Sequence, residues 1–283
     1  MAKLLKGKEV SDALTGKLIE EVKSLGERHI IPTLAIIRVG SHGDDISYEK
    51  GATKRCETIG VQVKSYVLPE TVSQQKLIST IETINRDQSI HGVLLFRPLP
   101  DHIDDMAVRA ALAPEKDVDG ITDVSMAGVY ADTDMGFPPC TPKACMEILD
   151  YYGVDIAGKN IVIIGRSLVV GKPLAMMAMK KNGTVTICHT KTFDLEGVAK
   201  KADILIVAAG KAKAIGPEFV SEKQIVIDVG INFTEDGILC GDVDFEKVEP
   251  LVDSITPVPG GVGTVTTGIL VLHVVEAAKK AAV

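Results

Sequence analysis

N-I-V-I-I-G-R-S-L-V-V-G-K-P, Asn160 to Pro173, is the stretch that decides the fold. Ile161 to Ile164 is a short β-branched run bounded by Gly158 and Gly165, the pattern of a fully buried strand. Gly165 permits a tight turn, and Val170 to Lys181 reads as a helix with Ala175, Met176, Met179 and Lys180 at helical spacing. A glycine turn between a buried strand and a helix N-terminus suits a nucleotide phosphate, because free backbone N–H groups and the helix dipole both favour an anion. The spacing is G-x-S-x-x-x-G-x-P instead of the usual G-x-G-x-x-G. Ser167 stands where a glycine would be and offers a hydroxyl besides its N–H. An ordinary strand-to-helix turn shares this pattern, so the motif needs support from its surroundings.

Downstream, strands are expected at Thr184 to Cys188, Asp203 to Ala208 and Gln224 to Val229. An extended segment, Pro250 to Pro259, and a last helix, Thr264 to Ala282, complete that half. Upstream, Val10, Leu14, Leu18, Val22 and Leu25 mark an amphipathic helix over Lys8 to Leu25. A strand from Pro32 to Gly40 follows, then a helix from Ile46 to Thr58 with Gly60 as its C-cap. Val61 to Leu68 is a strand, Ser73 to Asn85 a helix, Gly92 to Phe96 a strand and Asp104 to Leu112 a short helix. Asp117 to Phe137 has no clear period and reads as a loop carrying site residues. Thr141 and Pro142 open a helix as N-cap and first position, ending near Tyr152. Alternating strands and helices on both sides give an α/β protein of two units with parallel sheets, divided near Phe137 to Thr141. The last helix could pack on either unit.

The 283 residues are 46% hydrophobic but only 4% aromatic, with no Trp, so the core is aliphatic and suits buried parallel strands. A net charge of −7 argues against nucleic acid or an anionic membrane as the main partner. Cys56, Cys140, Cys145, Cys188 and Cys240 are scattered without a C-x-x-C pair, which favours a reducing compartment and disfavours zinc. His29, His42, His91, His102 and His273 are isolated, so no metal is expected. The N-terminus is too charged for a signal peptide, and no apolar run approaches the ~20 residues that span a bilayer. A soluble cytoplasmic protein is expected.

An NAD site usually places an acid at the end of its second strand, where it bonds the ribose 2′-hydroxyl. Here His189, Thr190 and Lys191 occupy that place, with Arg166 in the first turn. Cationic and hydroxyl groups there suit a 2′-phosphate, so NADP is expected over NAD unless Arg166 and Lys191 are simply solvated.

The opening motif combines with R-V-G (Arg38 to Gly40), E-K-D-V-D-G (Glu115 to Gly120) and P-C-T-P (Pro139 to Pro142). D-V-G-I-N (Asp228 to Asn232), G-D-V (Gly241 to Val243) and T-P-V-P-G-G-V-G (Thr256 to Gly263) follow. In this order, over nearly the whole chain, the set resembles the methylenetetrahydrofolate dehydrogenase/cyclohydrolases. The resemblance implies a folate-binding domain, residues 1–138 plus 265–283, a Rossmann-like doubly wound NADP domain, residues 139–264, and a homodimer through the NADP domains. It implies hydride transfer from 5,10-methylenetetrahydrofolate to NADP, then hydrolysis of the methenyl product to 10-formyltetrahydrofolate. Tyr48 matches the tyrosine that packs on the folate, and Asp119 the aspartate that holds the pterin. Gly165, Arg166, Ser167, Thr190 and Ile231 match cofactor contacts, and Pro257, Gly260 and Gly261 a turn lining the cleft between the domains.

Two departures stand out. The family pattern Y-x-x-x-K reads Y-E-K-G-A here, so Ala52 occupies the lysine position. At about 100° per residue, Lys50 and Lys54 project from the opposite face to Tyr48, and only Arg55, two turns on, shares it. Phe96 replaces the glutamine that partners the lysine, in L-F-R-P-L-P from Leu95 to Pro100. Hydride transfer depends mainly on positioning, whereas hydrolysis also needs water activated by a side chain of suitable pKa. A dehydrogenase with weak or absent cyclohydrolase activity is therefore expected. The alternatives are a full bifunctional enzyme rescued by Arg55, Arg97 or water, and a non-catalytic folate or NADP sensor.

Overall fold

The structure, a computed structural model, describes residues 1–282. In chain order the first elements are β1 (Lys3–Leu4), α1 (Gly7–Glu27), β2 (Thr33–Val39), α2 (Gly43–Ile59), β3 (Gln62–Leu68), α3 (Gln74–Arg86) and β4 (Gly92–Leu95). Next come α4 (Asp105–Ala111), α5 (Asp123–Ala131), α6 (Cys140–Tyr151), β5 (Asn160–Ile164), α7 (Gly171–Lys180), β6 (Thr184–Cys188), α8 (Leu195–Lys200) and β7 (Ile204–Val207). The chain ends with β8 (Ile225–Asp228), β9 (Asn232–Phe233), β10 (Leu239–Cys240), α9 (Phe245–Val248), β11 (Ser254–Ile255) and α10 (Val262–Ala281).

Two compact units result, one of Met1–Asp12 with Thr141–Thr266 and the other of Ala13–Cys140 with Thr267–Val283. The first is built on a six-stranded sheet in the order β1-β11-β8-β7-β5-β6. All its pairings are parallel. Its central strands are aliphatic at nearly every position because both faces are covered: β7 is buried throughout, and Ile206 pairs across to Ile163 and Ile227. The order of the strands reverses between β5 and β7, so their carboxyl ends open a crevice of the kind where doubly wound sheets bind ligands. The second unit has a three-stranded parallel sheet, β3-β2-β4. Its core joins Ala35, Ile37 and Val39 of β2 to Leu77, Ile81 and Ile84 of α3 and to Val93 and Leu95 of β4.

Several elements depart from the sequence expectations. Residues 1–12, expected with residues 13–138, belong to the other unit, because β1 pairs with β11 some 250 residues away. A two-residue strand is too short to show a period. The expected loop Asp117 to Phe137 contains α5, whose inward face is made of small residues: Ser125 is buried, and a Cβ on Gly128 would lie 2.1 Å from the Met135 carbonyl oxygen. That face carries no apolar signal. On α7 the buried positions are Gly171, Pro173, Leu174, Ala175 and Ala178, while Met179 is exposed. Helix α6 starts at Cys140, so Thr141 lies in its first turn rather than at its N-cap. The β9–β10 hairpin and α8 were not anticipated. Helix α10 is long and apolar enough to cross a bilayer by length and composition, contrary to expectation, but 67% of its apolar window is buried in the fold.

Candidate active site

In the unit of residues 13–140 the chemistry gathers around E-K-D-V-D-G. Each residue of this loop has a separate task. Lys116 is buried, and its ammonium donates to the carbonyls of Ile84, Asn85 and Asp87 at 2.8–2.9 Å, satisfying the C-terminal end of α3. Asp117, with no exposed surface, accepts from the N–H groups of Ile121 (2.9 Å) and Thr122 (2.7 Å) and from the Ser125 hydroxyl (2.6 Å). Thr122 in turn caps α5. The Val118 carbonyl accepts from His273 Nδ1 at 2.8 Å. Gly120 has φ +68, and a Cβ there would lie 2.5 Å from the Pro139 nitrogen. The loop is pinned on both sides of Asp119. Lys116 and Asp117 are not distinguishable in the sequence, because four of the six residues of this motif are charged.

Asp119 itself is left available. Burial pushes its carboxyl up to about 6; the Cys140 thiol, hydrogen-bonded to it, and the more distant Arg97 charge pull the other way, while Asp117 adds to the rise. Tyr48 on α2 shares this environment, for its phenol is raised well above the usual range by burial first and then by Cys140 and Asp119. The Tyr48 ring meets Phe96 edge to face, with centroids 5.8 Å apart and planes at 85°. Ala52, one turn along α2, has no exposed surface. Around the tyrosine, then, the positions where a base and its partner were sought hold a methyl group and a phenyl ring.

The side chains that could have substituted are engaged elsewhere. Arg55 donates to Thr15 Oγ1 at 2.9 Å. Arg97 grips Asp105 through both guanidinium arms, at 2.5 and 2.6 Å. Lys50 and Lys54 line a separate open cleft with Arg38, Glu49, Glu57 and Ser65. Cys56 has no exposed surface, and burial pushes its thiol up to about 12. No cluster of metal-ligating side chains occurs among the described residues.

The other unit carries the phosphate turn. Gly165 has φ +127, and a Cβ on it would lie 2.2 Å from the Ala208 carbonyl oxygen. A Cβ on Gly171 would lie 2.1 Å from the Gly165 oxygen, so α7 starts directly against the turn. Ser167 Oγ accepts from the Val170 N–H at 3.0 Å, which leaves its own hydrogen to donate. Arg166, Ser167, Thr190 and Lys191 are exposed. His189 Nδ1 accepts from the Lys191 N–H at 3.1 Å, and Thr192 Oγ1 from the His189 N–H at 2.9 Å, so the segment after β6 has a defined shape. Pro257, Gly260 and Gly261 lie in a turn that, with Asp228 to Ile231, lines a cavity of about 260 Å³. The Gly260 carbonyl accepts from the Gly7 N–H at 2.7 Å, tying this turn to the start of α1.

Residues 5–119 match the catalytic domain of tetrahydrofolate dehydrogenase/cyclohydrolase, and residues 139–282 match its NAD(P)-binding domain. The chain belongs to the tetrahydrofolate dehydrogenase/cyclohydrolase family. It is 48% identical over 276 residues to the bifunctional protein FolD of Clostridioides difficile, covering 98% of this chain and 96% of that one. To FolD of Carboxydothermus hydrogenoformans it is 49% identical over 279 residues, covering 98% and 97%. The crystal structure of the bifunctional FolD of Campylobacter jejuni superposes with a TM-score of 0.96 at 40% identity over 99% of both chains. The Trypanosoma brucei FolD, solved with NADP and an inhibitor, gives 0.93 at 32% identity over 99% and 98%. The doubly wound unit is thus the NAD(P)-binding domain of a tetrahydrofolate dehydrogenase/cyclohydrolase, and its Gly165 cradle, open hydroxyl and exposed Arg166 and Lys191 fit a phosphorylated dinucleotide.

Proposed function

We propose that this member of the family oxidises 5,10-methylenetetrahydrofolate to 5,10-methenyltetrahydrofolate with NADP, and hydrolyses the product weakly or not at all. The observation that carries the second half is that the lysine and glutamine positions hold Ala52, which is fully buried, and Phe96, whose ring meets Tyr48 edge to face. NADP, when bound, supplies a hydride acceptor. The protein's part is to hold the pterin: Asp119 as a carboxylate accepts two N–H bonds from the aminopyrimidine edge, and the Tyr48 ring packs on its face. Removing a hydride from the methylene carbon leaves a cationic methenyl product without any proton transfer, so this step needs no base beside Tyr48. Hydrolysis differs, for a water must lose a proton as it attacks, and neither a methyl nor a phenyl group can take one. Arg166, Ser167, Thr190 and Lys191 hold the phosphates, and Ile231 lines the cofactor side.

The names of the relatives favour a second reading, the complete bifunctional enzyme making 10-formyltetrahydrofolate. Both readings share the first test: NADPH formation from 5,10-methylenetetrahydrofolate. Steady turnover is expected; its absence, with binding retained, would leave only a folate or NADP sensor. With NADP, Arg166→Ala is expected to raise KM roughly tenfold by losing a charge-assisted bond to the 2′-phosphate, and to leave the much weaker use of NAD unchanged. An equal loss with both cofactors would place Arg166 away from that phosphate. A homodimer is also expected, consistent with β6 standing at the sheet edge. Light scattering showing a monomer at assay concentrations would remove it.

A further inference from the structure

D-V-G-I-N and G-D-V contain two buried aspartates that the proposed chemistry does not use. Asp242 has no exposed surface. Its Oδ2 accepts from the N–H groups of Ala209 (2.7 Å) and Gly210 (2.9 Å), and its Oδ1 from the Lys211 N–H and the Asn232 side-chain amide, both at 2.9 Å. Three successive N–H groups converging on one point form an anion-binding nest, here filled by the protein's own carboxylate. Asp228 is bound reciprocally: its Oδ1 accepts from the N–H groups of Gly230 (2.9 Å) and Asp242 (3.0 Å), and its Oδ2 from Val243 N–H (3.0 Å). Each motif's glycine rests on the other motif's acid. A Cβ on Gly230 would lie 2.4 Å from the Asp242 carboxyl carbon, and one on Gly241 would lie 1.9 Å from Asp228 Oδ2.

The segments gathered in this way leave the carboxyl ends of β7 and β8. Residues 209–211 follow directly on Ala208, whose carbonyl backs Gly165 of the phosphate turn. Gly230 and Asn232 flank Ile231, and Asp228 to Ile231 line the cavity opposite Pro257 to Gly261. We propose that Asp242, seconded by Asp228, is a positioning residue for the cofactor: an internal anion that sets the loops after β7 and β8 in the shape NADP binds. This rests on the NADP reading above. A neutral amide cannot replace it, because its NH2 would face N–H donors on one side of the nest.

The test compares wild type, Asp242→Asn and the milder Asn232→Ala in the full chain. NADP affinity is measured by calorimetry, KM for 5,10-methylenetetrahydrofolate by steady-state kinetics, and thermal midpoint with and without NADP. Asp242→Asn is expected to weaken NADP roughly tenfold or more while the folate KM stays within about twofold. Asn232→Ala, which removes one of four donors, is expected to weaken NADP a few-fold, roughly, at an unchanged midpoint. Wild-type NADP affinity in both variants would overturn the inference. So would parallel losses of NADP and folate with a lowered midpoint, the signature of mere destabilisation. If Asp242→Asn fails to fold, Asn232→Ala decides alone. A wild-type chain that does not bind NADP would overturn the functional reading itself, and this inference with it.

Discussion

Decay of 5,10-methenyltetrahydrofolate in the presence of this protein is expected to stay within about twofold of the spontaneous rate, since a positioned acid or base typically contributes roughly 10²–10⁴, the lysine and glutamine positions are held by Ala52 and Phe96, and Asp119 is committed to the pterin. The replacement Ala52→Lys with Phe96→Gln is expected to raise that rate by at least roughly tenfold, a fraction of what general catalysis can supply. The pair must be changed together. Ala52 is fully buried, and a lysine alone would bring a buried ammonium without the glutamine that partners it in the family pattern. NADPH formation should survive both substitutions, because hydride transfer needs the pterin held rather than a proton moved. Acceleration by the wild-type protein would sink the idea. Arg55 and Arg97 would then be the first side chains to remove, although each is already bound, to Thr15 and to Asp105.

The second large effect concerns Asp119. Replacement by Asn is expected to cut dehydrogenase kcat/KM by roughly 10²-fold, since a carboxylate that accepts two N–H bonds is exchanged for a group that can accept only one side of the pair. The wild-type enzyme should also lose folate affinity in acid. Burial holds the Asp119 carboxyl near about 6, so below that pH the group takes up a proton and ceases to accept both bonds. KM for the folate is expected to rise by about tenfold per pH unit below the midpoint and to level off above it. In Asp119→Asn the slope should vanish. The stability sign is opposite: with its folded pKa raised, Asp119 favours the fold most at low pH, and that contribution is lost as pH rises through about 6. A binding loss in acid therefore cannot be put down to unfolding through this group. Cys140→Ala removes the thiol that favours the charged form, and should move the midpoint upward. A pH-independent KM in the wild type would remove Asp119 from the pterin.

How much of this was legible beforehand depended on the range of the forces involved. The face of α2 was readable because helical geometry alone decides that residue 52 lies beside Tyr48 and that residues 50 and 54 do not; Lys50 and Lys54 indeed line a separate cleft. The phosphate turn was readable because its two glycines answer to sterics within one strand–turn–helix unit. The supports of Asp119 were not readable. Lys116 finds its carbonyls about thirty residues upstream, and two charges in a loop resemble solvated ones until those partners are known. Asp228 and Asp242 were visible as motif letters, but their partners are backbone N–H groups, which every residue but proline carries and which no spacing rule reveals. Helix α5 was hidden for another reason, its buried face being made of serine and glycine.

The two-residue strand at the start of the chain has a consequence for the order in which the protein can be assembled on the ribosome. Lys3 and Leu4 pair with Ser254 and Ile255, so these residues must wait for partners some 250 positions on before that sheet is closed. The unit of residues 13–140 waits likewise for residues from Thr267 onward. Neither unit is complete until about 250 residues after Lys3 have been made, so domain-by-domain completion in chain order, the usual course for larger proteins, is closed to it. Both are completed through contacts of very long sequence separation, which form slowly.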